Sequence, residues 1–236
     1  MLLPGLKIKR KVNELHLFAG SGGGILAGQM LGHRCVCAVE WDEYAQSSLV
    51  ARQNDGTFQA FPIWDDVQTF DGQPWRGIVD VVAGGFPCQA YSTAASGKNT
   101  ADDLWPEMRR IVADVAPRYV FAENVSRIAI DNAADDCEKM GYQARCIAIS
   151  AQDMGADHIR ERYWLLAHSY NDGKFLRSIN AKTRWLPQLG QNIWADYPES
   201  LRMVNGVAHR THRLKAIGNG QVPAVAAAAW KILGGP

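Results

Sequence analysis

A single cysteine stands between a proline and a glutamine in the stretch GGFPCQAYS, Gly84 to Ser92. The apolar run IVDVVA precedes it, so we expect Cys88 at the exposed end of a strand. A buried cysteine serves as a small hydrophobe, whereas a thiol at a strand exit can act as a nucleophile. The choice between these roles depends on which other side chains are expected at the same end of the sheet.

A carboxyl group and two arginines are the other reactive groups expected there. The run RYVFAENV ends on Glu123 and Asn124, and Arg160 and Arg162 stand just before the last predicted strand. A carboxylate disfavours a neighbouring thiolate, so Glu123 would act on a substrate, donating or sharing a proton as the thiolate adds. The arginines would favour the thiolate and a polar substrate oxygen. The alternative for Glu123 and Arg162 is a structural ion pair.

A second group of residues suggests a pocket for an adenosine. The first predicted strand runs into FAGSGGG, where glycines let backbone N–H groups approach a ligand beside a helix N-terminus. The second ends at Glu40, where a carboxylate can accept hydrogen bonds from ribose hydroxyls. Trp41 can offer its face to an adenine, and the run WDDV supplies acceptors for an exocyclic amine. Each residue alone is ordinary, but their order describes a nucleoside site.

These residues fall at the ends of elements that alternate from residue 14 to residue 169. The predicted strands are ELHLFA, CVCAVE, IVDVVAGG, RYVFAENV, ARCIAIS and RYWLLAHS. The predicted helices between them are GILAGQML, DEYAQSSLVARQN, ADDLWPEMRRIVADVA and DNAADDCEKM. This alternation predicts an α/β fold with a doubly wound, mostly parallel sheet covered on both faces. An irregular stretch follows, and PAVAAAAWKIL closes the chain as a helix.

Composition narrows the classes of protein. The 236 residues are 47% hydrophobic and 21% charged, as in a soluble globular protein with one large domain. No apolar run is long enough for a membrane span, and the N-terminus lacks the features of a signal peptide. The five cysteines form no CxxC pair and the histidines show no ligand spacing, so we expect no metal. The cysteine pattern favours reduced thiols in a cytoplasm.

The charge is unevenly distributed although the formal net charge is only +1. Residues 170–215 contain eight Lys and Arg against three acids, interleaved with five Tyr, Phe and Trp. A basic stretch with aromatics suits a polyanionic partner, but it also suits a solvated loop region with anchoring aromatics.

Five motifs, FAGSGGG, GGFPCQAYS, AENV, GADHIRERYW and RLKAIGNGQVP, follow one another along the chain. In this order they resemble the successive motifs of DNA (cytosine-5) methyltransferases, particularly the compact type of phages and prophages. The resemblance implies a Rossmann-like fold, S-adenosyl-L-methionine as the cofactor and a monomer acting on double-stranded DNA. It also implies a catalytic and cofactor-binding domain at 12–169, a target-recognition region at 170–204 and a C-terminal return at 205–236.

The resemblance assigns the chemistry. Cys88 would attack C6 of a flipped-out cytosine, C5 would take the methyl group, and loss of the C5 proton would release the enzyme. Glu123 would hold N3 and the exocyclic amine, while Arg162, supported by Arg160, would hold the O2 edge. Flipping is required because C5 and C6 are inaccessible within the base stack.

The resemblance also assigns binding positions. The residues matching the family's cofactor-binding positions are Phe18, Gly20, Gly22, Glu40, Trp41, Asp66, Leu104 and Asn219. The expected substrate-binding residues are Pro87, Gln89, Ser92, Asn124 and Arg202.

Three departures from the family pattern stand out. The stretch from Gln89 to Leu104 is short for the family's closing loop, and Asp157-His158 replaces the usual Pro-Gln. Gly220-Gln221 stands where a small and an apolar residue are commoner, so Gln221 is expected near the cofactor tail.

Two other functions remain open, an RNA (tRNA) cytosine-5 methyltransferase and a catalytically weak DNA-binding relative. Retention of Cys88, Glu123 and Arg162 together argues against the second. A dehydrogenase is a poor third, because the glycine pattern differs and Cys88 would be unexplained.

Overall fold

Seven strands form one sheet in the part of the chain that the computed structural model describes, residues 11–87, 103–155, 159–169, 184–186 and 220–236. The strands are β1 (Asn13–Leu17), β2 (Arg34–Val39), β3 (Ile63–Trp64), β4 (Val81–Gly85), β5 (Tyr119–Asn124), β6 (Tyr142–Ser150) and β7 (Glu161–Ser169). The α-helices are α1 (Gly23–Met30), α2 (Glu43–Asn54), α3 (Trp105–Val115), α4 (Arg127–Lys139) and α5 (Pro223–Ile232). No helix within these ranges is long and apolar enough to cross a membrane.

The strands are ordered β3-β2-β1-β4-β5-β7-β6 across the sheet. The neighbours from β3 to β5 are parallel, whereas β7 is antiparallel to both β5 and β6. The predicted α/β class and mostly parallel sheet are therefore confirmed. The antiparallel pair at one edge follows from its short connection, 151–160, because a parallel crossover needs about a dozen residues or more. The two-residue strand β3 was not predicted, since Ile63 and Trp64 are too few to show a period.

Helices cover both faces of the sheet, as predicted. Successive side chains of each central strand point to opposite faces, so each such strand supplies apolar residues to both cores. In β4, Val82 joins a core cluster with residues of α3 and α4 such as Met108 and Ile130. Its neighbours Val81 and Ala83 join the opposite cluster, which contains Trp230 of α5. The final apolar helix thus completes the second face.

Side-chain caps set the start of two helices that follow strand ends. The Asp42 carboxylate accepts hydrogen bonds from the backbone of Tyr44 and Ala45 at the start of α2. The Ser126 hydroxyl accepts one from Ala129 at the start of α4. Such caps satisfy backbone donors that have no partner within the helix. They fix the points at which the chain leaves the sheet beside the ends of β2 and β5.

A tripeptide from the irregular stretch lies along the free edge of β6. Cys146 N donates to Arg184 O at 2.7 Å, and Leu186 N donates to Cys146 O at 2.8 Å. Trp185 Nε1 donates to Asp131 Oδ1 of α4 at 2.7 Å. These contacts attach part of the segment expected to bind the target to the edge of the sheet.

Candidate active site

The carboxyl ends of β4 and β5 converge with the start of β7. Glu123 lies opposite Trp164 and Asn124 lies opposite Tyr163 in the antiparallel register. Because β7 runs against β5, its N-terminal residues, including Arg162, lie at the end of the sheet where β5 finishes. The antiparallel pairing of β5 and β7 therefore brings Glu123 and Arg162 together, although they are far apart in sequence.

Glu123 and Arg162 form an ion pair at this edge, in which Glu123 is buried and Arg162 is partly buried. Arg162 Nε lies 3.0 Å from Glu123 Oε1. Glu123 is only 7% exposed. Burial raises the pKa of Glu123, because desolvation disfavours the carboxylate more than the nearby charges of Arg162 and Arg160 favour it. The pair therefore combines a cation with a carboxyl group whose protonated form is more accessible than usual, which suits proton donation to a bound base.

Arg160 connects this cluster to the chain before α5. Its Nη2 donates to Gly220 O at 2.8 Å. Desolvation lowers the pKa of Arg160, the adjacent Arg162 lowers it further, and Glu123 opposes both. Arg160 thus places positive charge beside Glu123 and holds Gly220 against the sheet.

Asn124 and Leu104 fix the chain on either side of the segment that contains Cys88. Asn124 Nδ2 donates to Phe86 O at 2.8 Å, and its Oδ1 accepts from Ser126 N at 2.9 Å. Leu104 N donates to Pro87 O at 3.3 Å, which brings the two ends of the segment 88–102 together. Asn124, expected to touch substrate, therefore uses one end of its amide to hold the chain just before this segment and the other end to hold the start of α4.

A pocket of about 160 Å³ lies at the ends of β1, β2 and β3. Its lining is formed by Phe18, Val39, Glu40, Trp41, Asp65, Asp66, Val67 and Gln68. Glu40 is fixed there, because its carboxylate accepts from Gly20 N at 2.6 Å and from Asp42 N at 2.8 Å. Trp41 is 75% exposed, so its indole ring lies at the solvent-facing edge of the pocket. Four of the expected cofactor-binding residues thus line one cavity.

The glycine-rich turn follows β1 and is attached to this pocket by the hydrogen bond from Gly20 N to Glu40. Gly20 has a φ of +53° and nothing within 4 Å of where a β-carbon would lie, so its outer face is open to a ligand. Gly22 has a φ of +90°, and a β-carbon there would lie 2.7 Å from the Phe58 ring. Between them, the Ser21 hydroxyl is buried and has no partner among the described residues. A left-handed backbone with an unpaired hydroxyl suits a site for a polar ligand.

The sequence of residues 12–220 matches the family model described as C-5 cytosine-specific DNA methylase. This match spans most of the chain and includes both the ion pair and the pocket.

The chain belongs to the C-5 cytosine-specific DNA methylase family.

Similar proteins include named methyltransferases of bacteria. The chain is 32% identical over 162 residues to the type II methyltransferase M.HhaI of Haemophilus parahaemolyticus, covering 64% of this chain and 47% of that protein. It is 28% identical to M.HpaII of Haemophilus parainfluenzae, covering 70% of this chain and 48% of the relative. The chain spans about half the length of these two relatives, and 26% of the type II methyltransferase M.Eco47II of Escherichia coli.

Solved structures support the fold. A DNA modification methyltransferase encoded within an Escherichia coli prophage aligns with a TM-score of 0.55 at 25% identity, covering 67% of this chain and 47% of that one. A DNMT2 of Spodoptera frugiperda aligns with a TM-score of 0.58 at 20% identity, covering 75% and 56%. The Rossmann-like fold expected from the motifs is therefore confirmed.

Several residues of this C-5 cytosine methylase chain lie outside the described ranges, namely Cys88, Gln89, Ser92, Asn219, Arg202 and the Asp157-His158 pair. Pro87 and Gly220, which flank Cys88 and Asn219, lie within them. Their roles stay predictions. No group of three or more His, Cys, Asp or Glu side chains suited to a metal ion is found among the residues that the structure describes.

Two further placements concern residues that the sequence singled out, and the roles of both stay predictions. Leu104, expected to complete the adenine pocket, is partly buried against the same core cluster as Phe18. Gln221, expected near the cofactor tail, borders a small cleft with Glu123, Arg160 and Arg162. The only sequence signal at Gln221 was its departure from the family pattern, which marks the position as unusual without giving a neighbour.

Proposed function

We propose that the chain transfers a methyl group from S-adenosyl-L-methionine to C5 of a flipped-out cytosine in double-stranded DNA, through a covalent bond between Cys88 and C6. The observation that supports this most is the ion pair between buried Glu123 and partly buried Arg162 at the sheet end, where the chain leaves β4 through Pro87 toward Cys88. A carboxyl and a guanidinium side by side can bind the polar edge of one cytosine, with N3 and the exocyclic amine on Glu123 and O2 on Arg162.

Each protein group has a defined part in the reaction. The Cys88 thiolate forms a bond to C6, and electrons of the C5–C6 double bond move through the ring while N3 receives a proton or hydrogen bond from Glu123. C5 then becomes an enamine-like nucleophile; S-adenosyl-L-methionine, when bound, would supply the electrophilic methyl group and be released as S-adenosyl-L-homocysteine. A base removes the C5 proton, the C6–sulfur bond breaks, Cys88 leaves as a thiolate, and N3 returns its proton to Glu123.

The pocket at the ends of β1, β2 and β3 fits the cofactor. Glu40 is fixed beside Gly20 and can accept hydrogen bonds from ribose hydroxyls, although backbone donors already occupy part of its carboxylate. The exposed Trp41 ring can cover an adenine, and Asp66 can accept from its amine. The unpaired Ser21 hydroxyl adds a polar group at the glycine-rich turn.

Double-stranded DNA is favoured as the substrate by the basic, aromatic stretch at 170–215, which suits contact with phosphates. The bacterial relatives named as type II methyltransferases agree with this choice. The catalytic residues alone do not separate DNA from RNA, so RNA forms an arm of the test.

Covalent trapping tests the proposal. Duplex DNA of random sequence containing 5-fluorocytosine is incubated with S-adenosyl-L-methionine and either wild type or Cys88→Ser. Fluorine at C5 cannot leave as a proton does, so the wild type alone should form a denaturation-resistant, cofactor-dependent adduct.

Absence of the adduct, with cofactor binding confirmed by calorimetry, would refute the DNA reaction. An adduct with fluorinated RNA and none with DNA would assign the chain to the RNA enzymes. No adduct with either would leave a DNA-binding relative without methyl transfer.

A further inference from the structure

Gln221, the first residue after the part of the chain that matches the family model, lies close to the Glu123 carboxyl. A β-carbon on Gly85 would lie 2.7 Å from Glu123 Oε2 and 3.4 Å from Gln221 Nε2, so both side chains border the space above this glycine. The other carboxylate oxygen, Oε1, is the one that faces Arg162 Nε at 3.0 Å. The two oxygens of Glu123 therefore have different neighbours.

The opposite end of the Gln221 amide faces the first turn of α1. A β-carbon on Gly24 would lie 2.5 Å from Gln221 Oε1 and 3.2 Å from His16 Nδ1. His16 Nε2 is held by Glu14 Oε2 at 2.9 Å. Gln221 thus fills the gap between a fixed polar group on β1 and the end of β5.

The backbone before Gln221 is held as well, since Gly220 O accepts from Arg160 Nη2 at 2.8 Å. Position 221 is followed by α5, whose apolar residues are packed into the core. The side chain therefore approaches Glu123 from a firmly attached segment, as positioning requires.

The Gln221 amide has a spare donor in this place. Gln221 Nε2 is buried, and it forms no hydrogen bond of good geometry with any residue that the structure describes. The amide is nevertheless close enough to Glu123 to lower the pKa of that carboxyl, against the effect of burial. A buried N–H without a partner is unfavourable, and the Glu123 carboxylate, which borders the same space, is a suitable acceptor.

We propose that Gln221 is a positioning residue for the cytosine reaction, holding Oε2 of Glu123 from the side opposite Arg162. This inference rests on the proposed function. With Arg162 at Oε1 and Gln221 at Oε2, the carboxyl is prevented from rotating, so its plane stays aligned with the N3 edge of the bound cytosine. The proposal gives the polar residue at this position a role at the carboxyl rather than at the cofactor.

Three measurements on the full chain test this role. Gln221→Met removes the amide and keeps the length of the side chain. Gln29→Met is the matched control, because that glutamine donates to Thr57 O at the surface near the other end of α1. For each variant we would measure the rate of 5-fluorocytosine adduct formation, the dissociation constant of S-adenosyl-L-methionine, and the titration of Glu123 by ¹³C NMR of labelled glutamate carboxyls, assigned with Glu123→Gln.

Gln221→Met should slow adduct formation about 5- to 10-fold, the effect of losing one hydrogen bond that orients a reacting group. The cofactor dissociation constant should stay within about 2-fold of wild type, which is less than one hydrogen bond supplies. The midpoint of the Glu123 titration should move upward, because burial and the arginines remain while the amide is lost. Gln29→Met should change none of the three.

The proposal would be overturned if Gln221→Met left both the Glu123 titration and the rate of adduct formation unchanged. It would also be overturned if the variant bound the cofactor more weakly with an unchanged Glu123 titration, because that result would assign Gln221 to the cofactor. The titration is recorded without cofactor or DNA. If wild type forms no adduct, the proposed function fails and the catalytic role of Gln221 fails with it. If wild type forms the adduct and the variant's titration is unshifted, the Gln221 role alone fails.

Discussion

At the scale of single residues, the site depends on how closely side chains approach the Glu123 carboxyl. Arg162 contacts Oε1, and Gly85 lacks the β-carbon that would lie 2.7 Å from Oε2. Because Glu123 is only 7% exposed, its carboxyl has few other positions to occupy. Small changes around it should therefore affect chemistry more than stability.

Gly85→Ala tests this closeness. The new β-carbon would lie 2.7 Å from Glu123 Oε2, so the carboxyl must shift away from its place beside Arg162. We expect kcat for methyl transfer to fall about 100-fold, the cost of a displacement on the order of 1 Å in a catalytic group. Steady-state kinetics with tritiated cofactor measures it. A variant with wild-type kcat would show that the carboxyl position is not critical, and unchanged cofactor affinity serves as the control for folding.

At the scale of elements, a buried polar cluster joins β1 to the start of β2 and to α5. Glu14 on β1 accepts from His16 at 2.9 Å and from His33, before β2, at 2.7 Å. The His33 ring packs edge-on against Trp230 of α5 at 5.1 Å. Burial alone raises the pKa of Glu14, but hydrogen bonds from both histidines lower it to about 2. The carboxylate is thus stabilised in the fold relative to the unfolded chain.

Glu14→Gln tests the contribution of this cluster to stability. A folded pKa of about 2 against an ordinary 4.5 corresponds to about 3 kcal/mol, present above pH 4.5 and lost as the pH falls from 4.5 toward 2. The variant should therefore be less stable by roughly this amount at pH 7, with a difference that narrows below pH 4.5.

Urea unfolding followed by tryptophan fluorescence at several pH values measures the difference. Asp55→Asn, at an exposed pair with Arg52, is the control and should change stability little. A difference between Glu14→Gln and wild type that is independent of pH would show that packing, rather than the carboxylate, is responsible.

At the scale of the whole molecule, the proposed cofactor pocket and the carboxyl site occupy the same end of one sheet but are built from different strands. The pocket belongs to β1, β2 and β3, and the ion pair to β5 and β7. The glycine-rich turn and Gln221 lie between them, since Gly23 and Gly24 both contact Gln221. Cofactor binding can therefore be weakened without disturbing the ion pair.

Trp41→Ala tests this separation. The side chain is 75% exposed, so its loss should leave the melting temperature of the free protein nearly unchanged. It should weaken binding of S-adenosyl-L-methionine about 10-fold through loss of aromatic contact with the adenine. Calorimetry and thermal unfolding with and without cofactor measure both effects. Ile78→Ala removes another exposed apolar side chain and is the control; it should change neither the melting temperature nor the cofactor affinity. Unaltered cofactor affinity in Trp41→Ala would place the adenine elsewhere.

Much of this protein follows from local pattern. Alternating apolar strands and amphipathic helices predicted the doubly wound sheet, because burial on both faces leaves a continuous apolar signal in each central strand. The positions of Gly20, Glu40 and Glu123 at strand ends predicted a site along one edge, since ligands of such sheets bind there.

The tertiary structure decided the contacts between distant segments. No local pattern shows that β7 turns back along β5, yet this places Arg162 on the carboxyl of Glu123. Nor does one show that Gln221, nearly one hundred residues further along the chain, fills the space beside Oε2. The sequence by itself determined which chemical groups lie at strand ends, because that depends on neighbours along the chain. Which groups touch depends on register and on the packing of α5, and these exist only once the sheet is assembled.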